Sequence, residues 1–378
     1  MGFSPTLPIV VFEPGHANTK GQATNLDISD PIVHFQSLIA EVSETRYNTL
    51  ADRALSQGNR AFHLVKWDGR YFVVGATAEK ESGYIKPRKR TARWVKDYVG
   101  ILMCALLQQL YFGDVPKEIT MYAAHPPKDF EHRKKLLDCL KGVWAWETPG
   151  CRKITTRVTF VAPYDELVGS IMNLLLDEQG RQTAKPHPVF SGTTVVVDFG
   201  GGTLDLTRVV NGNIDYDRTE SENIGGNQAL LRFKQAIEQH KDIRAILDGT
   251  EFPMEEIYPI AMHPDKRFDD AGVTYYFKDE FNEAFAPLVN QAGQFIEEFF
   301  GRLVGVNYIL IAGGIGGLIY DMIAPKLFSR WYSDDPKKNR VIRADAVRDM
   351  MIANAKGARK MALATRSAIM EDVQKHAR

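Results

Sequence analysis

The chain has 378 residues, 44% of them hydrophobic, and its 47 Lys and Arg balance 47 Asp and Glu. That length admits two domains and a sizeable core, while the balanced charge removes any global electrostatic case for a nucleic-acid or membrane partner. No apolar run approaches the roughly eighteen residues of a membrane span, the amino terminus lacks the features of a secretion signal, and Cys104, Cys139 and Cys151 have no metal-binding spacing, so a cytoplasmic protein with reduced thiols is expected.

In chain order, LPIVVF at 7–12 reads as a strand that runs into a glycine-containing turn and Lys20. The stretch from about 25 to 95 is mixed; within it FHLVKWDGRYFVVGA predicts a hairpin around Asp68-Gly69, followed by the basic run at 86–90. DYVGILMCALLQQLYF has helical periodicity and ends near Gly113, EITMYAAHPP is a strand stopped by its prolines, VTFVAP is another strand, and a helix begins near Asp165. The Pro- and Gly-rich segment 180–192 is the best interdomain linker. Beyond it come the strand and glycine turn TTVVVDFGGGT, a helix entered through Gly225 and Gly226, a long helix over FKDEFNEAFAPLVNQAGQFIEEFFGRL, the strand, turn and helix of VNYILIAGGIGGLIYDMI, and a terminal helix from about Ala344.

The glycines carry the chemistry. A buried strand that ends in Asp198 and continues through Gly200, Gly201, Gly202 and Thr203 can turn sharply and aim successive backbone N–H groups at one spot, which suits a phosphate. Alternation resumes through Asp205, so these glycines join two strands, unlike the Walker and Rossmann loops that lead into helices. Asp198 is placed to hold a hydrated magnesium ion. The strand, acid and turn order also occurs at the amino terminus, where Glu13, Gly15, Asn18 and Lys20 would bring an ammonium back to the turn. At the third glycine site, Gly313, Gly314 and Ile315 follow a strand and precede a helix, and bare backbone there can lie against a purine ring. The alternatives are a hairpin with an Asp-capped turn and no ligand at Asp198, a surface turn at Glu13, and close strand-to-helix packing at Gly313.

Together the three turns resemble the actin-type ATPase superfamily of actin, the large heat-shock chaperones and the sugar kinases. Its first phosphate loop, D-x-G-x-x-x-x-K, is matched by Glu13, Gly15 and Lys20 with Glu for Asp; its second, D-x-G-G-G-T-x-D, is matched throughout by Asp198, Gly200, Gly201, Gly202, Thr203 and Asp205. ILIAGGIGG resembles the adenosine motif, and NAKGARKMA the second connecting helix with Gly357 at its small position. YFVVGATA, DYVGILMCAL and EITMYAAHPP further resemble plasmid-segregation proteins of the ParM/StbA type.

The resemblance implies an α/β fold of two ribonuclease-H-like domains, about 1–185 and 186–345, with a C-terminal helix at 346–378 packing back on the first and a nucleotide cleft between them. It implies ATP or GTP with Mg2+, metal contacts from Asp198 and Glu13, and cofactor contacts from Gly15, Asn18, Lys20, Gly200, Gly201, Gly202, Thr203, Gly225, Gly226, Gly313, Gly314 and Ile315. A carboxylate just after VTFVAP should orient the attacking water; Glu166 is favoured over Asp165, which could be a helix N-cap. Asn227 and Lys234 are further candidates at the nucleoside end, whereas His16 and His125, without partner motifs, read as structural or solvated. The implied function is a polymerising ATPase that self-associates into filaments for plasmid or DNA segregation, with a DNA-bound adaptor protein as partner and neither membrane contact nor a strong direct nucleic-acid signal. The alternatives are a sugar or metabolite kinase, for which Asp129 is the one candidate acid, and a non-polymerising ATP-binding adaptor.

Overall fold

The computed structural model describes residues 7–15, 17–26, 32–58, 62–85, 95–125, 130–150, 152–183, 189, 191–247, 251–252, 254–301, 303–345 and 350–366. His16, the basic run 86–90, Pro126 and Pro127, Asp129, Cys151, positions 184–188 and 190 of the expected linker, and 346–349 and 367–378 of the expected terminal helix lie outside the described residues. The chain divides into two units, Met1–Ala184 with Asn354–Arg378, and Lys185–Ala353.

In the first unit the strands are β1 (Ile9–Pro14), β2 (Asn18–Ala23), β3 (Val33–Gln36), β4 (Ile39–Val42), β5 (Leu64–Trp67), β6 (Arg70–Val74), β7 (Glu118–His125), β8 (Gly142–Thr148) and β9 (Arg152–Asp165), and the helices are α1 (Glu44–Ser56), α2 (Ala76–Glu79), α3 (Lys96–Leu110), α4 (Phe130–Leu140), α5 (Glu166–Leu175) and, at the C-terminal end of the chain, α11 (Ala353–Ala364). The strands form one sheet in the order β3-β2-β1-β7-β9-β8-β5-β6-β4, with β1, β7 and β9 parallel at its centre. Central strands are covered on both faces and so read as continuous apolar runs. Along β1, Val10 and Phe12 join the core built on α3, whereas Ile9 and Val11 join Tyr122, Ala124, Ala162 and Tyr164 beneath Ala358 and Ala362 of α11.

This two-sided burial explains α3, which is apolar almost all round and has Tyr98 to Leu107 buried without interruption. On the other face, α5 and α11 cross with backbone against backbone: a Cβ on Gly357 would fall 1.7 Å from the carbonyl oxygen of Gly169. Any larger residue at 357 would force the helices apart. Lys360 secures the crossing, donating to the Asn173 carbonyl at 3.1 Å and pairing with Glu178 at 3.1 Å.

The Asp68-Gly69 hairpin forms as expected, with both residues at positive φ between Trp67 and Arg70. By contrast β9 begins six residues before the predicted strand, because β8 pairs with its first half, from Thr148↔Arg152 to Gly142↔Val158. The helix expected from Ala344 begins at Ala353.

The second unit contains β10 (Thr193–Phe199), β11 (Leu204–Val210), β12 (Asn213–Glu222), β13 (Arg267–Asp270), β14 (Val273–Tyr276), β15 (Tyr308–Ala312) and β16 (Val341–Arg343), with α6 (Asn227–Gln239), α7 (Lys241–Leu247), α8 (Met254–Met262), α9 (Lys278–Phe300) and α10 (Gly314–Leu327). Its main sheet has the order β12-β11-β10-β15-β16, while β13 and β14 form a separate hairpin. β10 is parallel to β15, with Asp198 opposite Ala312, so the turns that follow these two strands leave the sheet side by side. Helix α9 passes through Pro287 unbroken. Phe281, Ala284, Phe285, Leu288, Val289, Ala292 and Ile296 keep helical spacing on its buried side, while Pro287 is exposed.

Candidate functional site

The site residues fall into two half-sites, one on each unit. In the first, the antiparallel register places Glu13 opposite Lys20. Directly opposed residues share a face, and the Lys20 ammonium donates to Oε1 of Glu13 at 2.5 Å, with side-chain exposures of 14% and 6%. Each charge compensates the other in a setting where either alone would be costly. The other carboxylate oxygen of Glu13, Oε2, is buried without a partner among the described residues. Gly15 makes the turn tight, since a Cβ there would lie 2.7 Å from the carbonyl of Asn18. Beyond the turn, Ser37 ties down the outgoing strand through its N–H to the Ala17 carbonyl and its hydroxyl to Thr19, both at 2.9 Å.

The two carboxylates at the first connection part company. Successive residues of a strand point to opposite faces; Val161 belongs to the α3 core, and Ala162 and Tyr164 to the α11 cluster. Asp165 therefore follows Val161, on the face it shares with His125 of β7, its register partner. Nε2 of His125 lies 3.1 Å from Oδ1 of Asp165, and both side chains are buried. Asp165 does occupy the N-cap position of α5, at φ −76° and ψ 131°, yet its side chain makes no capping bond. The histidine that looked partnerless in sequence is what holds this carboxylate.

On the opposite face stands Tyr164, which sequence reading passed over. Its ring stacks on Tyr122 with centroids 4.7 Å apart. Burial raises its phenol well above the ordinary tyrosine range, and the charges of Glu13 and Glu166 raise it further. Tyr164 is thus within electrostatic reach of Glu13 and Glu166, while Asp165 is paired with His125.

The second half-site is built from backbone. Opposite each other in the β10–β11 pair are Asp198 and Asp205, and the hairpin closes through Gly200 N–H to the Thr203 carbonyl at 2.9 Å. Thr203 donates its hydroxyl to Oδ2 of Asp205 at 2.8 Å, which fixes that carboxylate. The carbonyls of Gly200 and Gly201 accept from the N–H groups of Gly226 and Asn227 at 3.1 and 2.9 Å, so the glycine loop supplies partners for the start of α6. Gly225 touches this loop so closely that a Cβ would sit 2.3 Å from the Gly201 oxygen.

The third turn locks against the other two. Gly313 has φ +80°, and a Cβ there would lie 2.3 Å from the Phe199 carbonyl and 2.4 Å from Oδ1 of Asp198, so only glycine suits both its conformation and its surroundings. A Cβ at Gly226 would fall 2.4 Å from the side chain of Ile315. Gly200 to Gly202, Gly225 and Gly226, and Gly313 to Ile315 are therefore one interlocked cluster. Two further residues reach it: the Tyr258 hydroxyl donates to the Gly314 carbonyl at 3.4 Å, and Met351 lies against the same glycine. Burial pushes the Tyr258 phenol up to about 12. Nothing in the sequence singled out either residue.

Lys234 is not recruited to the cluster. It pairs with Glu251 at 2.7 Å and Glu238 at 3.2 Å, within a surface depression of about 510 Å³ that Arg244 also lines. Among the described residues no three His, Cys, Asp or Glu side chains converge to hold a metal ion. The donor set fits magnesium in a different way, since Mg2+ is held through one or two carboxylates together with water and substrate phosphates, and Asp198 stands one residue before the end of its strand, beside the bare backbone of the cluster. No helix among the described residues is long and apolar enough to cross a membrane.

No protein-family model matches the sequence, and none of the curated proteins does. Solved structures do match. The chain is similar to the actin-like protein Alp7A, with a TM-score of 0.72 and 16% identity over 98% of this chain and 99% of that one. The fold is actin-like. An archaeal actin homologue, Ta0583, solved with ADP, matches with a TM-score of 0.66 and 17% identity, covering 94% of this chain and 99% of its own. ParM of Bacillus thuringiensis, solved with ATP, also matches at 0.66, with 13% identity over 97% and 99%. The chain therefore has the α/β fold of the actin homologue, Alp7A and ParM structures.

Proposed function

We propose that this actin-like protein is a magnesium-dependent ATPase that polymerises into filaments. The observation that carries the reading is the interlocked glycine cluster with Asp198 at its edge, a cradle of bare backbone that side chains would fill. Nucleotides bound to two of the similar structures support it. Magnesium would be held by Asp198, with Glu13 as the acid of the first half-site, and when bound it would neutralise charge on the phosphates.

This chain's own residues do the rest. In the second unit the backbone of the glycine loop cradles phosphate; in the first, the Gly15 turn and Lys20, now on Glu13, are groups that suit a phosphate as well. Glu166 orients the attacking water, a reading supported by the pairing of the alternative carboxylate, Asp165, with His125. The purine lies on Gly313, Gly314 and Ile315, with Tyr258 and Met351 alongside. Catalysis of this kind rests on positioning and electrostatics.

Filament assembly coupled to hydrolysis, in the cytoplasm, for segregation of a plasmid or other DNA through a DNA-bound adaptor, completes the proposal. It draws on the likeness to ParM-type proteins. Light scattering and pelleting of the purified protein, with phosphate release followed in parallel, test it. Scattering should rise on magnesium-ATP and decay as phosphate appears. Turnover without sedimentable polymer would instead favour a kinase or a non-polymerising adaptor.

A further inference from the structure

Among the buried polar atoms of the first unit that have no hydrogen-bond partner within the described residues are Oε2 of Glu13 and the hydroxyl of Tyr164. Buried polar groups are rarely left in that state, and a pair of them in one place asks for a shared explanation. They stand in one row of the sheet. Tyr164 is in register with Ala124, and Glu13 follows the Phe12↔Ala123 pair by one residue, so Glu13, Ala124 and Tyr164 cross β1, β7 and β9 side by side. Alternation turns this row toward the face of Ile9, Val11 and Tyr122. Its middle member contributes only a methyl group, which leaves the space above it to the outer two. Stacking on Tyr122 fixes the tyrosine ring.

The chemistry is complementary. Lys20 occupies Oε1 of Glu13, leaving Oε2 as an acceptor, and the Tyr164 phenol is a donor. A water molecule satisfies buried groups of this kind when two or more polar partners surround it. We propose that one buried water bridges the Tyr164 hydroxyl and Oε2 of Glu13, making Tyr164 the residue that positions the Glu13 carboxylate in the first half-site.

The kinetic part of this inference rests on the proposed ATPase; the structural part does not. Tyr164→Phe, Glu13→Gln and the double variant are compared by thermal melting and by steady-state phosphate release. A bridged hydroxyl predicts that Tyr164→Phe melts below the wild type and that the double variant melts close to Glu13→Gln, since both changes break one link. It also predicts a kcat about tenfold lower, with KM within about twofold, the loss expected for one hydrogen bond to a charged group. An idle hydroxyl predicts the reverse, because removing an unsatisfied polar group is neutral or stabilising. Tyr164→Phe melting at or above the wild type, or additive melting shifts, overturns the bridge. Lower melting with unchanged kcat overturns the positioning role. Where Glu13→Gln fails to fold, Tyr164→Phe alone decides by the same two readouts. A wild type that releases no phosphate refutes the ATPase and leaves the melting cycle to judge the bridge.

Discussion

The same order of strand, acid and tight turn is built twice in this chain, in two different materials. In the first unit the turn has one glycine, and side chains do the work: a buried Glu13–Lys20 pair, a His125–Asp165 pair across β7 and β9, and Tyr164 between carboxylates. In the second unit backbone does it, with three glycine turns in contact through atoms that no Cβ would tolerate. The comparison teaches that a backbone-built site depends on the shape of its turns, whereas a side-chain-built site depends on register and on compensated charge.

Substitutions can break that contrast. The largest effect is expected from Asp198→Ala, which should abolish magnesium-dependent phosphate release while melting stays within a few degrees of the wild type, as about 1 kcal/mol or less at a partly exposed position allows. Unchanged release would remove Asp198 from the metal site. Next, Lys20→Met strands the buried Glu13 charge and should cost about 3–5 kcal/mol in denaturant unfolding. The paired change Lys20→Met with Glu13→Leu should recover most of that loss, because two apolar groups leave no charge uncompensated. A double variant no more stable than Lys20→Met would show that the pair is not what matters.

A smaller effect separates crowding from backbone strain. Gly313→Ala meets both a positive φ and a close carbonyl, and should cost about 2–4 kcal/mol and weaken ATP binding. Gly212→Ala has a similar φ of +82° with nothing within 4 Å of its Cβ, and should cost about 1 kcal/mol. Equal costs in urea titrations would mean that the interlock contributes nothing. The smallest effect belongs to Lys234→Ala, whose ion pairs line a surface depression; a stability change under about 1 kcal/mol and unchanged nucleotide affinity are expected.

How much was legible follows the same division. Asp198, Gly200 to Thr203 and Asp205 could be read because a glycine-rich turn leaves an unbroken signature, and its hairpin forms as expected. That Gly225 and Gly313 converge on it from some 25 and 113 residues away could be guessed only through the family likeness, since no local pattern encodes parallel pairing of β10 with β15. Sequence favoured Glu166 over Asp165 only because Asp165 could be a helix N-cap. The pairing of Asp165 with His125 had no sequence signal, because it depends on the register of β7 with β9. Helix α1 and the alternating strand GVWAWET of β8 carry readable periodicities that the mixed composition around them obscured. Tyr164 and Tyr258 had no signal, because a lone tyrosine in a strand or helix is first of all a packing residue.

The central claim is that the glycine cluster and Asp198 bind a magnesium nucleotide, and isothermal titration of the purified chain with ATP, with and without magnesium, tests it most directly. The account predicts binding in the micromolar range, a free energy near −8 kcal/mol, that weakens at least about tenfold when magnesium is chelated. No heat of binding up to about millimolar ATP, in a protein that melts cooperatively, would contradict it.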